Sequence, residues 1–208
     1  MPTSLTPARL LALVAALLFL AGVVGYRIGQ PDRPGAGSAD VGFLQDMIVH
    51  HEQAIALSYR TVNEATDFEV RGFAKDILVS QQYEIGLMEA YLGRWGHPRD
   101  SGRTLGMAWA GTPHPKGAMI GMATAQELQA LERATGPEVD DRFLRLMIAH
   151  HHDGVLMGEA VLDRGSDGDV RELATRIVTA QRSEISEMQA TRRRLGLPPA
   201  EAPAGHPS

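Results

Sequence analysis

The sequence predicts an all-α protein: an antiparallel four-helix bundle made of two copies of one helical hairpin, preceded by an N-terminal membrane helix. Three observations carry this expectation. Residues 40–92 repeat at 140–192 at a constant offset and without a gap, with 17 identities in 53 positions. Within each copy, apolar residues recur at helical spacing between capping and stop signals. Ahead of both copies, Leu10 to Tyr26 ("LLALVAALLFLAGVVGY") carries no charge between Arg9 and Arg27, and its length is near the lower limit for crossing a bilayer.

The 208 residues suffice for one domain with an anchor and a tail. The expected divisions are a signal anchor or signal peptide at 1–27, a linker at 28–39, the helical domain at 40–195 and a flexible tail at 196–208. A hydrophobic content of 44% speaks for a globular chain, and a net charge of -5 gives no electrostatic reason to expect nucleic acid. There is no cysteine, which excludes disulfides, thiolate metal sites and thiol nucleophiles. Methionine and histidine must carry any soft-metal chemistry.

The apolar N-terminal run directs the rest of the chain out of the cytoplasm. It leaves the domain anchored in the membrane, or secreted if the run is cleaved. A small-x-small cleavage site at "GAGSA" (Gly35 to Ala39) lies far from the run, which favours an uncleaved anchor. The linker "GQPDRPGAGSAD" leads to the first helix, expected from Val41 to Asn63. A second helix opens with the capping box "TDFE" (Thr66 to Glu69) and runs to Leu92, where Gly93 supplies a stop. Residues 93–121 form a Gly- and Pro-rich crossover, and "TAQE" (Thr124 to Glu127) caps a short extra helix ending at Gly136. Gly136-Pro137 opens the first helix of the second copy and Gly165 stops it. "SDGD" (Ser166 to Asp169) then turns the chain into a helix that ends at "GLPP" (Gly196 to Pro199). Two short-looped hairpins joined by one long crossover is the connectivity of ferritin-like bundles.

At 100° per residue, Phe43, Leu44, Met47, His50, His51, Ala54 and Ile55 share the face that must be buried. Phe143, Met147, His150 and His151 repeat the pattern. On the second helix of each hairpin, Gln81, Glu84 and Met88, and again Gln181, Glu184 and Met188, fall on an apolar stripe. A buried, unpaired carboxylate costs several kcal/mol, about 3–5 when a partner is removed, so Glu84 and Glu184 need partners. The histidines of the paired helix are the natural candidates.

One use of such a core is a hydrogen-bonded His/Glu/Gln network that sets helix register without a ligand. Another is a metal centre: imidazoles of His50, His51, His150 and His151 with thioethers of Met47, Met147, Met88 and Met188, oriented by Glu84, Glu184, Gln81 and Gln181. Thioether and imidazole without thiolate select copper, above all Cu(I). Neutral imidazoles bind metal in competition with protons, so affinity should fall as pH drops past the ordinary histidine pKa of about 6.5. The crossover "MAWAGTPHPKGAMIGM" offers Met107, His114, Met119 and Met122 as a second, more exposed copper site. His152 and Met157 extend the donor set of the second copy, whereas His97 and His206 are read as incidental.

The stretches "FLQDMIVHHEQAI" with "QQYEIGLM", and "FLRLMIAHHHDGV" with "TAQRSEISEM", resemble the bacterial domain-of-unknown-function family 305 over residues 40–192. That resemblance implies a ferritin-like fold, export, and kinship with periplasmic copper-binding proteins linked to copper resistance. It also points to the same eight His and Met residues as the functional set. A ferritin-like di-metal oxidase is the enzymatic rival, but its Glu-x-x-His motif occurs nowhere in the chain. The functional expectation is an extracytoplasmic copper-binding protein without turnover. Its alternative is a metal-free envelope protein with structural or interaction roles.

Overall fold

A computed structural model describes residues 6–29 and 33–201. Part of the linker (residues 30–32) and the end of the tail, including His206, lie outside the described residues. The chain divides into two compact units at Arg33. The first contains helix α1, Pro7–Gly29, in which the 20 residues Pro7–Tyr26 are long and apolar enough to cross a membrane.

The second unit holds four long helices, α2 (Ala39–Glu64), α3 (Phe68–Trp95), α5 (Pro137–Arg164) and α6 (Gly168–Arg194), with a short α4 (Ala125–Arg133) before α5. The all-helical class expected from the repeat is therefore present. Ser38 caps α2, its hydroxyl accepting from the Val41 N–H, and Thr124 and Glu127 form the capping box of α4. At α3 the cap differs from the expected one. Asp67, not Thr66, accepts from the N–H groups of Glu69 and Val70, because Thr66 is engaged from another hairpin by Asp140. Gly93 does not stop α3 either. A glycine inside a helix costs only about 1 kcal/mol, and the helix continues to Gly96, whose φ of 78° supplies the left-handed turn. The Gly96 N–H then bonds to Gly93 O and the His97 N–H to Leu92 O, the paired closure of a Schellman end.

The crossover contains a two-residue antiparallel ladder that the sequence did not suggest: β1 (Leu105–Gly106) pairs with β2 (His114–Pro115) around a single 3-10 turn at Ala108–Ala110. Two-residue strands are too short to leave a period in the sequence.

Helix α2 packs on α3, α5 on α6, and the two hairpins meet along α2 and α5. Two buried aspartates fix this arrangement. Asp40, at the start of α2, accepts from the N–H groups of Ser166 and Asp167 in the α5–α6 loop. Asp140, at the equivalent place in α5, accepts from those of Thr66 and Asp67 in the α2–α3 loop. Each first helix thus begins against the far end of the other, so α2 and α5 run antiparallel about a pseudo-twofold axis. Apolar burial follows the same symmetry, with one cluster around Phe43, Met47 and Met88 and another around Phe143, Met147 and Met188.

Candidate metal centre

The helical period brings two adjacent histidines per repeat to the seam between α2 and α5, and all four side chains are 0% exposed. The rings of His50 and His150 stack with centroids 3.6 Å apart and planes inclined by 29°. His51 Nε2 lies 2.7 Å from Glu84 Oε2, and His151 Nε2 lies 2.6 Å from Glu184 Oε2. Both glutamates are only partly buried, at 17% and 24% side-chain exposure, rather than fully so as the helical stripe predicts, and each pairs with a histidine of the neighbouring helix. His150 Nε2 donates to the backbone carbonyl of His50 at 2.9 Å.

These acceptors assign the tautomers. In His51, His150 and His151, Nε2 faces a carboxylate or carbonyl oxygen and carries the proton, which leaves the lone pair on Nδ1. The Nδ1 atoms of all four histidines are buried without a hydrogen-bond partner. Burial holds the pKa of His50 and His150 well below the ordinary histidine value, and the neighbouring histidines press in the same direction. Both rings are therefore neutral at pH 7, with lone pairs already available to a metal. A carboxylate on the far nitrogen of a ligating imidazole is the usual device for orienting the ring and raising its basicity.

The thioethers divide between the two halves: Met47 and Met88 belong to one apolar cluster, Met147 and Met188 to the other. Gln81 and Gln181 are buried, and neither Gln81 Oε1 nor either amide atom of Gln181 has a partner. Among the described residues, no group of three or more His, Asp or Glu side chains is placed to hold a metal ion.

The crossover residues are placed differently. Met107 and Met119 join the cluster of Met47 and Met88, with Met122 packed against it. His114 pairs with Gly106 in the short ladder, and Gly106 in turn makes room for Met119, whose Sδ lies 2.9 Å from where a Cβ would stand. His152 is half-buried on α5. His97 Nε2 bonds to the Pro34 carbonyl.

Three further residues complete the surroundings, of which the sequence reading names only Met157. Asp46 accepts from the Met107 N–H at 2.7 Å and from Trp109 Nε1 at 2.9 Å, holding Met107 at a φ of 59°. Met157 adds a further thioether to the first cluster. Asp153 places Oδ2 3.5 Å from His50 Nε2, and burial pushes its carboxyl pKa up to about 7. The sequence signal for Asp153 was its position three residues after His150, on the same helical face.

Duplicated hairpins with a neutral histidine core define a class of all-helical proteins, and the comparisons with known proteins give that class its family. The chain belongs to the DUF305 family, a domain of unknown function, whose family model matches residues 40–192. A DUF305 protein of Streptomyces coelicolor, a candidate secreted protein, is 35% identical and superposes with a TM-score of 0.74 over 80% of this chain and 99% of its own. A DUF305 fragment from Deinococcus radiodurans is 34% identical, with a TM-score of 0.65 over 79% of this chain and 99% of that one. CopM in its Cu(I)-bound form is 25% identical, with a TM-score of 0.56 over 75% and 96% of the two chains. An uncharacterized protein of Acanthamoeba polyphaga mimivirus is 42% identical over 53 residues, so the match covers 26% of this chain and 35% of that relative's length.

Proposed function

We propose that this protein binds copper outside the cytoplasm, as Cu(I), for storage, sequestration or handover, and so contributes to copper tolerance without turnover. The observation that carries the reading is the set of four buried Nδ1 atoms without hydrogen-bond partners, two of them on rings whose opposite nitrogen is bound to a glutamate. Buried polar atoms are nearly always satisfied, and soft cations satisfy imidazole lone pairs well. The ligand set is drawn from His50, His51, His150 and His151 with Met47, Met88, Met147 and Met188. Glu84 and Glu184 orient the rings, and Gln81 and Gln181 stand by as neutral donors. Met107, His114, Met119, Met122 and His152 are the candidate donors of a secondary copper site, whose thioethers Met107 and Met119 are buried beside Met47 and Met88 rather than more exposed as the sequence predicts. The similarity to CopM, a protein solved with Cu(I) bound, supports the choice of metal. The apolar helix α1 anchors the domain at the membrane, with the domain on the outer side, or is lost on secretion.

The test is an anaerobic titration of metal-free protein with Cu(I) against a competing chromophoric chelator, repeated with His50, His51, His150 and His151 changed to Ala. Binding that disappears in a variant that keeps its helical circular dichroism is the expected result.

A second reading has its own observation: the His51–Glu84 and His151–Glu184 hydrogen bonds close without any ligand. A metal-free structural protein would melt at the same temperature with copper or with chelator. A copper-binding one gains about 2.7 kcal/mol at a free metal concentration one hundred times Kd.

A further inference from the structure

We infer that His50 and Asp153 are the nucleus of a site for a divalent cation of borderline character, Zn(II) or Cu(II), in one half of the centre only. The inference rests on the reading of the histidine core as metal-binding, but not on the choice of Cu(I).

The unsatisfied atoms are distributed unequally. His50 Nδ1 and Nε2, Asp153 Oδ2, and both amide atoms of Gln181 are buried without hydrogen-bond partners. In the other half, His150 Nε2 is satisfied by the His50 carbonyl. The repeat-equivalent of Asp153 is Gln53, whose amide bonds to both the N–H and the carbonyl of Ala123. The two repeats therefore use this position differently. The first pins the crossover, and the second leaves an acidic oxygen facing an imidazole.

The separation of that pair is informative. At 3.5 Å, Nε2 and Oδ2 make no hydrogen bond, yet two ligands on one tetrahedral ion with bonds of about 2.1 Å stand about 3.4 Å apart. A cation between them would satisfy both atoms at once. Carboxylate with imidazole suits Zn(II) or Cu(II), whereas Cu(I) prefers the thioethers. Gln181, with both amide atoms unsatisfied, packs against the residue next to Asp153. A Cβ on Gly154, next to Asp153, would lie 2.2 Å from Gln181 Oε1, so the missing side chain lets that amide press against α5.

The crossover packs closely over this part of α5. Gly121, at a φ of +85°, lies so near α5 that a Cβ there would stand 2.8 Å from Asp153 Cβ and 2.5 Å from the Ala149 carbonyl. The same glycine lines a cavity of about 590 Å³ together with Met122, Glu127 and Arg145.

The full chain in detergent, stripped of metal, would be titrated separately with Zn(II), with Cu(II) and, anaerobically, with Cu(I), each against a competing chelator. Asp153→Asn keeps the shape of the side chain and should weaken Zn(II) and Cu(II) binding by about tenfold or more, the range seen when one polar partner of a metal site is removed, while Cu(I) affinity is unchanged. Whichever divalent ion shows the larger loss identifies the preferred occupant. Asp163→Asn, at an 82% exposed carboxylate, should change nothing. If Asp153→Asn does not fold, Asp153→Ser removes the same carboxylate while leaving His50 and the Cu(I) ligand set in place. Undiminished Zn(II) and Cu(II) affinity in these variants, or an equal loss for all three ions, would overturn the inference. A chain that takes Zn(II) or Cu(II) but not Cu(I) would retire the copper(I) reading and leave this site standing. Cu(I) binding with divalent affinity indifferent to Asp153 would do the reverse.

Discussion

The imidazoles of His50 and His150, related by the internal repeat, stack face to face at 3.6 Å where α2 crosses α5. Two charged rings could not share that space, and burial holds both pKa values well below the ordinary histidine range. The stack thus joins architecture to chemistry: the contact that mates the hairpins also keeps two imidazoles neutral. Their remaining lone pairs lie inside the core, beside two further rings fixed by Glu84 and Glu184.

Acid should destabilise the metal-free protein. Below pH 6.5 the unfolded chain takes up protons on His50 and His150 that the folded chain refuses, so their contribution is present above 6.5 and is lost as pH falls. Asp153 works in the opposite sense. With its folded pKa raised to about 7, it binds a proton that the unfolded chain does not, and this stabilises as pH drops from 7 towards 4. Two protons against one leave a net loss of about 1.4 kcal/mol per pH unit between pH 6 and 5. Urea denaturation at pH 7.5, 6 and 5 measures the slope, and Asp153→Asn should steepen it to about 2.7 kcal/mol per unit. A flat or rising stability below pH 6.5 would contradict the neutral stack.

The same shifts move the expected acid limit of copper binding. Sequence reasoning puts proton competition near the ordinary histidine pKa, but rings whose pKa is depressed by burial compete with protons only at lower pH. Cu(I) affinity should therefore hold from pH 7.5 through 6.5 and decline below that. Chelator competition at half-unit pH steps measures the midpoint. A midpoint at or above 6.5 would place the metal away from the stacked core pair.

What the sequence reveals and what it hides differ in a physical way. Periodicity states which face of a helix is buried, and so it located His50, His51, Glu84 and their repeat partners. It does not state what meets that face from a distant segment. Thr66 reads locally as a helix cap, yet Asp140, 74 positions away, takes it, and the cap passes to Asp67. Asp153 reads as an ordinary polar position because Gln53 occupies the equivalent place. Only the stacking of α5 on α2 puts its oxygen beside His50. Met107 lies in a Gly-rich segment without any period, and its left-handed backbone depends on Asp46.

Removing the carboxylates behind His51 and His151 should weaken copper binding more than it weakens the fold. Glu84→Gln and Glu184→Gln keep an oxygen able to accept from the ring N–H but lose the charge that raises ring basicity. Each should lower Cu(I) affinity by about tenfold to a hundredfold at a stability cost of about 1 kcal/mol. Chelator competition and urea midpoints on the same samples separate the two effects. Loss of stability with unchanged affinity would make the glutamates structural only.

The buried aspartates at the helix starts should be worth more to the fold than any surface ion pair. Asp40 accepts from the N–H groups of Ser166 and Asp167, and Asp140 from those of Thr66 and Asp67, so each ties the first helix of one hairpin to the loop of the other. Both are almost fully buried, at 1% and 3% exposure. Replacement by Ala strands two backbone donors, at about 1–3 kcal/mol for each group left unsatisfied. Asp40→Ala and Asp140→Ala are each expected to lose about 3 kcal/mol, and because they share no partner their effects should add. The corresponding Asn variants keep an acceptor and should lose less. Urea denaturation of the four single variants and the double Ala variant settles the matter. If either Ala variant loses under about 1 kcal/mol, the loop contacts do not hold the hairpins together and the stacked histidines must carry more of that task.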